Sequence, residues 1–183
     1  MRSAGKIRDL LKLLAFQTGS QASLSELAGA LEMSKETVAR YIDLLEKTFV
    51  IFRLSGFSRN LRKEVAKTHK YYFYDLGIRN SVIDNFKPIS LRDDAGALWE
   101  NFLIMERVKR NAYRFMPRAP YFWRTYTGAE IDYVEEHANT LAGYKLTWGA
   151  ARKKRSPPSW NSAYPQATWQ VIDRSNWESF ILE

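Results

Sequence analysis

Residues 122–148 read FWRTYTGAEIDYVEEHANTLAGYKLTW, and how this stretch folds decides the architecture of the second half of the chain. β-prone runs alternate with turn residues, which predicts three consecutive strands. Tyr121–Tyr126 is aromatic, and Thr127-Gly128 is a natural hairpin turn. Ala129–Glu135 alternates, with Glu130, Asp132 and Val134 expected on one side and Ile131 and Tyr133 on the other. Leu141–Trp148 alternates again, setting Leu141, Gly143, Lys145 and Thr147 opposite Ala142, Tyr144, Leu146 and Trp148. Two carboxylates on one strand face and a lysine on the next strand can converge on one point. One outcome of such a pattern is a salt-bridged, exposed sheet face. The other is a metal site, where carboxylate oxygens hold Mg²⁺, the ion acidifies a bound water, and the lysine orients it or stabilises developing charge.

Immediately upstream, Asp94 to about Ala112 reads as one long helix, its apolar residues Leu98, Trp99, Phe102, Leu103, Ile104, Met105 and Val108 covering more than one face. Glu100 sits on this apolar surface with Leu103 and Ile104 one turn away. A carboxylate there needs a partner, because burying it alone costs several kcal/mol, roughly. Either an arginine supplies an ion pair, or Glu100 is a metal ligand or polar member of an active site. Downstream, ARKKRSPPSW gathers Arg152, Lys153, Lys154 and Arg155 into a loop, either an anion-binding patch or a solvated one. Asn161–Gln166 is expected to form a short helix and Thr168–Ile172 a last strand, with WESFIL closing the domain.

The first half has a different pattern. Ile7, Leu10, Leu11, Leu14 and Ala15 recur at helical spacing, and TGSQAS breaks that helix. Ser23 or Ser25 is placed to cap a helix over Leu24–Leu31, and Ser34 to cap a second with Val38, Tyr41, Ile42 and Leu45 as its buried stripe. A short helix, a tight turn and a longer helix describe a helix-turn-helix. Phe49–Leu54 and Lys70–Tyr74 then read as strands joined by the basic loop SGFSRNLRKEVAKTH, which completes a winged helix. Its outward residues would be Lys35, Glu36, Thr37 and Arg40 on the recognition helix and Arg59, Arg62, Lys63 and Lys67 in the wing. Such a module contacts DNA or docks a protein partner. Asp75 is placed to cap a further helix, and NFKPISLRDD reads as a linker, so the domains are expected at 1–88 and 89–183.

Composition narrows the chemistry. The chain has 183 residues and a net charge of +8, an excess that favours polyanionic partners such as nucleic acid or an anionic membrane surface, or else serves solubility alone. There is no cysteine, which excludes disulfides, thiolate metal sites and cysteine nucleophiles. With His69 and His137 the only histidines, a histidine-built metal site or a Ser-His-Asp triad finds little support. No apolar run approaches the roughly 20 residues that span a bilayer, and Arg8, Asp9 and Lys12 interrupt the N-terminal leucines, so a cytoplasmic location with no membrane partner is expected.

TGAEIDYV followed by a strand carrying a lysine, and preceded by WENFL on a helix, resembles the PD-(D/E)XK nuclease fold. More broadly, LSELAGALEMSKETVARYIDLLEKTFVIFRL, KYYFYDLGIRN, GALWENFLIMER and the TGAEIDYV hairpin together resemble the C-terminal part of prokaryotic AAA-type ATPases that carry a DUF4143 region. In that family a P-loop ATPase domain precedes a winged helix and a nuclease-like domain. The resemblance implies an α+β chain: an N-terminal winged helix, then a restriction-endonuclease-like α/β domain with a small mixed sheet. It also implies catalytic roles for Glu100, Asp132 and Lys145, with Mg²⁺ as cofactor. Two departures stand out. The family's third strand carries an acidic residue, any residue, then lysine, whereas this chain has Gly143-Tyr144-Lys145. Glu130 is the one candidate to replace the missing acid, giving Asp132, Glu130 and Glu100 as the metal-ligand set. Second, no G-x-x-x-x-G-K-[ST] occurs, so these residues hold no P-loop ATP site. The expected function is therefore an accessory module that binds DNA or a partner, such as an ATPase module, through a nuclease-like domain with a degenerate site. The alternatives are a Mg²⁺-dependent DNA endonuclease and a protein-interaction module that binds no nucleic acid.

Overall fold

The computed structural model describes residues 2–59, 68–149 and 155–183. In chain order its elements are α1 (Arg2–Phe16), β1 (Gln21–Ala22), α2 (Leu24–Leu31), α3 (Lys35–Lys47), β2 (Ile51–Gly56), β3 (His69–Phe73), α4 (Leu76–Val82) and α5 (Ala95–Tyr113). They continue with β4 (Ala119–Arg124), β5 (Glu130–His137), β6 (Thr140–Leu146), α6 (Pro158–Ala163), β7 (Thr168–Ile172) and α7 (Trp177–Leu182). The class is α+β as expected, with helices and a mixed sheet of seven strands among the described residues. The chain divides into two compact units, Met1–Leu54 with Thr68–Asn101, and Ser55–Lys67 with Phe102–Glu183. Hydrogen-bonded neighbours run β1-β3-β2 in the first unit and β2-β4-β5-β6-β7 in the second.

In the first unit, short-range signals place the helices. Ser23 and Glu26 form a complete capping box: the Ser23 hydroxyl accepts the Glu26 N–H at 3.2 Å, and the Glu26 carboxylate accepts the Ser23 N–H at 2.7 Å. Ser34 caps α3 by accepting the Thr37 N–H at 3.2 Å. The apolar stripes Leu10–Leu14–Ala15, Leu27–Leu31 and Val38–Ile42–Leu45 then meet around Ile51, Tyr71 and Phe73 in one core. The strand expected from Phe49 starts two residues later, at Ile51. Phe49 takes φ 55°, a left-handed exit from α3 that no strand residue adopts. The TGSQAS break also holds β1, which pairs antiparallel with β3 through Gln21↔Lys70 and Ala22↔His69. Asp75 caps α4 as expected, accepting the Ile78 N–H at 2.9 Å, and the segment read as a linker contains one 3-10 turn, Ile89–Leu91.

In the second unit, the last residues of β2 run parallel to β4, with Ser55↔Tyr121 and Gly56↔Phe122. Strands β4, β5 and β6 are antiparallel, and β7 is parallel to β6. The three strands expected in 122–148 therefore form. The strict alternation expected along β5 does not hold. Tyr121 pairs with Val134 and Trp123 with Ile131, so the single residue Phe122 faces both Asp132 and Tyr133. This β-bulge resets the side-chain parity. Ile131 and Val134, three residues apart, pack into the same apolar cluster with Trp123, Leu141 and Trp160. Tyr133 and Glu135 share the other face, where the Tyr133 hydroxyl donates to Glu135 at 3.3 Å. Val134 thus joins Ile131 rather than Glu130 and Asp132. Finally, α6 begins at Pro158, three residues ahead of the helix expected from Asn161, because proline is suited to a first helical turn.

Candidate functional site

Asp132 sits at the bulge with its side chain 3% exposed. One oxygen accepts the Lys145 ammonium at 2.6 Å, and the other accepts the Leu146 backbone N–H at 2.7 Å. Asp132 lies just beyond Tyr133↔Tyr144, the last pair of the β5–β6 ladder, and its carboxylate takes the β6 amide there. Asp132 and Lys145 thus meet across neighbouring strands. Each oxygen keeps a further lone pair, so the carboxylate retains some capacity for another donor or a cation.

Position 143, where the resembled family carries an acid, is buried and closed by apolar atoms. A Cβ on Gly143 would stand 3.3 Å from Ile131 Cδ1 and 3.4 Å from both Ile131 Cγ2 and Trp160 Cζ2. Trp160 is fully buried, its ring against Trp123 at 5.2 Å between centroids. The volume that a third carboxylate would occupy is therefore lined by an isoleucine and a tryptophan. Glu130, the stand-in, faces Arg124 across the β4–β5 ladder with its carboxylate 3.6 Å from the guanidinium.

Glu100 belongs to the first unit. Its Oε1 accepts the Tyr72 hydroxyl at 2.6 Å and the Lys70 ammonium at 3.3 Å, with Lys70 itself buried. The cation is a lysine rather than an arginine. Gly19 backs this group: its φ is +77°, and a Cβ there would lie 3.2 Å from Glu100 Oε1, so glycine meets both the conformation and the close approach. Among the described residues, no group of three or more His, Asp or Glu side chains gathers as a metal site would.

On the expected recognition helix, Lys35, Glu36 and Arg40 are exposed and Thr37 is half-buried. Thr37 is tied locally, its hydroxyl 3.0 Å from that of Ser34 and accepting from Arg40 at 3.4 Å. Arg59 lies in the second unit, exposed, with its guanidinium on Glu136 at 2.9 Å. Arg62, Lys63 and Lys67 lie outside the described residues, as do Arg152, Lys153 and Lys154 of the later basic loop.

One heavily bonded carboxylate of the second unit was not singled out by sequence. Glu135, 2% exposed, accepts both Arg107 Nε (2.8 Å) and Nη2 (2.9 Å), Asn111 Nδ2 (2.7 Å) and Arg118 Nη1 (3.0 Å). Burial pushes the Glu135 carboxyl up, but the Arg107 hydrogen bonds and charge outweigh it and hold the group below the ordinary carboxylate range. The Tyr133 phenol beside it is driven well above its usual value by burial and by the Glu135 charge. Arg107 also donates to the Phe180 carbonyl at 2.5 Å. The group thus joins α5, β5 and α7. Its one sequence signal was a third acid, Glu135, after Glu130 and Asp132 in a strand that alternation made half apolar.

Comparison with known proteins gives two family matches. Residues 1–88 match the family described as Domain of unknown function (DUF8612), and residues 95–175 match Domain of unknown function (DUF4143). The second was implied by the resemblance and the first was not. The chain is 29% identical over 158 residues to the uncharacterized protein Rv2008c of Mycobacterium tuberculosis, covering 85% of this chain and 34% of that protein. Mb2031c of Mycobacterium bovis matches to the same extent. The uncharacterized protein MJ1637 of Methanocaldococcus jannaschii is 31% identical over 106 residues, 54% of this chain and 22% of that protein. The chain therefore spans about a third of the length of the mycobacterial relatives. No solved structure matches it. Among the described residues no helix is long and apolar enough to cross a membrane.

Proposed function

We propose that this chain is an accessory DNA-binding module whose second unit is a nuclease-like domain with a lapsed metal site. The observation that carries this is the packing at Gly143: where the resembled nuclease pattern places its third-strand acid, Ile131 and Trp160 fill the space. A nuclease core needs several carboxylate oxygens converging on one divalent ion. Here Asp132 is held by Lys145 and a backbone amide, and Glu130 lies against Arg124. The lysine and aspartate that would orient a water remain as a salt bridge. The first unit supports the binding half of the proposal. A capped short helix, a tight turn and a capped longer helix with Lys35 and Arg40 exposed are followed by two neighbouring strands, the order of a winged helix. The net charge of +8 suits a phosphate backbone. The resemblance to the C-terminal part of AAA-type ATPases, and the greater length of the relatives, fit a module that works beside other domains.

The test is incubation with plasmid DNA and Mg²⁺ or Mn²⁺, with Asp132→Ala in parallel. The expected result is no cleavage by either protein and salt-sensitive binding by both. Cleavage by the parent that disappears in Asp132→Ala would make this a Mg²⁺-dependent endonuclease. Neither cleavage nor binding would point to a protein-docking module.

A further inference from the structure

A second basic feature lies on the second unit, away in sequence from Asp132 and Lys145. The C-terminal half of α5 and the end of α7 enclose a pocket of about 270 Å³ whose lining includes Lys109, Arg110 and Arg114 with the single carboxylate Glu106. Lys109 and Glu106 pair with each other at 2.9 Å. Arg114, exposed, donates to the Leu182 carbonyl and to a main-chain carboxylate oxygen of Glu183. Arg110 differs from both. It is 9% exposed, its Nε has no hydrogen-bond partner, and among the described residues it has no ion-pair partner. Its Nη1 donates to Asn111 Oδ1 at 3.0 Å, and Asn111 is itself anchored on Glu135 at 2.7 Å, so the guanidinium is held in place from behind. The nearby Arg107 and Arg118 are already committed to Glu135.

Arg110 lines the pocket as a cation with no ion-pair partner among the described residues, and an anion seated there would supply the missing counter-charge. Burial first, and then the charges of Arg107 and Arg114, destabilise its cationic form. Lys109 is matched by Glu106 and Arg114 is held by Glu183, which leaves Arg110 as the unmatched cation of the lining, and a guanidinium fork matches the oxygens of a phosphate. Tyr113, 79% exposed and also lining the pocket, presents a ring on which a base can stack.

We propose that this α5–α7 pocket is a phosphate-binding site centred on Arg110, with Arg114 and Lys109 as secondary donors, and that it takes the phosphate of a nucleic-acid strand or a free phosphate compound. It stands independently of the state of the Asp132 site. The test uses the full chain. Inorganic phosphate is titrated against chloride of equal ionic strength, read by thermal midpoint and by calorimetry, for the parent, Arg110→Gln, Arg114→Gln and Asp132→Ala. Phosphate should raise the midpoint of the parent and of Asp132→Ala, while Arg110→Gln binds it about tenfold more weakly or worse. Arg114 is exposed, so Arg114→Gln keeps the question answerable if Arg110→Gln does not fold, and it should weaken phosphate binding several-fold, roughly. A labelled single-stranded oligonucleotide separates the two sources. If its binding is competed by phosphate and weakened in Arg110→Gln, the phosphate belongs to a strand; if its binding is unchanged in Arg110→Gln, the site serves free phosphate. A parent that responds to phosphate no more than to chloride would overturn the site. So would arginine variants that bind phosphate as the parent does, or a response lost only in Asp132→Ala.

Discussion

Single carboxylates illustrate how differently this chain uses the same side chain. Glu100, Asp132 and Glu135 are each largely buried, and each is held by a cation and at least one further donor. Removing one partner from such a group is costly, about 3–5 kcal/mol, because a buried charge is left uncompensated. Asp94 shows the pH consequence most clearly. It accepts Arg92 through Nε at 2.7 Å and Nη2 at 2.8 Å, and it also accepts Arg79 Nη1. The hydrogen bond from Arg92, with Arg79 behind it, lowers its carboxyl from 3.8 to about 2 against the opposing effect of burial. A carboxyl depressed on folding adds stability above its unfolded value and loses it as pH falls through the folded one. Asp94 should therefore contribute about 2 kcal/mol above pH 4, fading between roughly pH 4 and 2. Urea midpoints for Asp94→Asn should lie below those of the parent at neutral pH and converge with them near pH 2. A constant gap across that range would show that the hydrogen bonds, rather than the ionisation, carry the effect.

At the scale of elements, the β4–β5 bulge governs the candidate site. It turns Ile131 and Val134 to one face, and Ile131 with Trp160 covers Gly143. Restoring the acid therefore means overpacking β6. Gly143→Asp should lower stability by about 1–3 kcal/mol, read from chemical denaturation, and should confer no Mg²⁺-dependent cleavage. Gain of cleavage without loss of stability would mean that the pocket at Gly143 opens readily and that the site is poised rather than lapsed. The helices respond to more local rules. The Ser23–Glu26 box and the Ser34 cap satisfy amide groups that α2 and α3 leave open, contributing on the order of 1 kcal/mol each.

For the whole molecule, charge is the property that predicts behaviour. With 28 basic and 20 acidic residues, affinity for duplex DNA should fall steeply as salt rises. Fluorescence anisotropy across a salt series should give a linear log–log dependence. Lys35→Ala and Arg40→Ala should each reduce its slope by about one if they touch phosphates. A flat salt response would favour apolar docking to a protein and would sink the DNA-binding proposal.

The sequence by itself determined the features set by short-range rules. Helical spacing and serine caps located α2 and α3, alternation and turn residues located β4, β5 and β6, and Asp75 marked the start of α4. It also determined the absence of cysteine chemistry and the replacement of an expected acid by Gly143. Only the tertiary structure decided which side each β5 residue faces, because a bulge depends on the register of the neighbouring strand. The partners of Glu100 and Glu135 were likewise beyond local reading. Lys70 and Tyr72 reach Glu100 from another element, and Arg107 and Asn111 reach Glu135 from 28 and 24 residues away. Local pattern reports where a side chain starts, but a buried charge is matched by whichever donor the packed chain brings beside it.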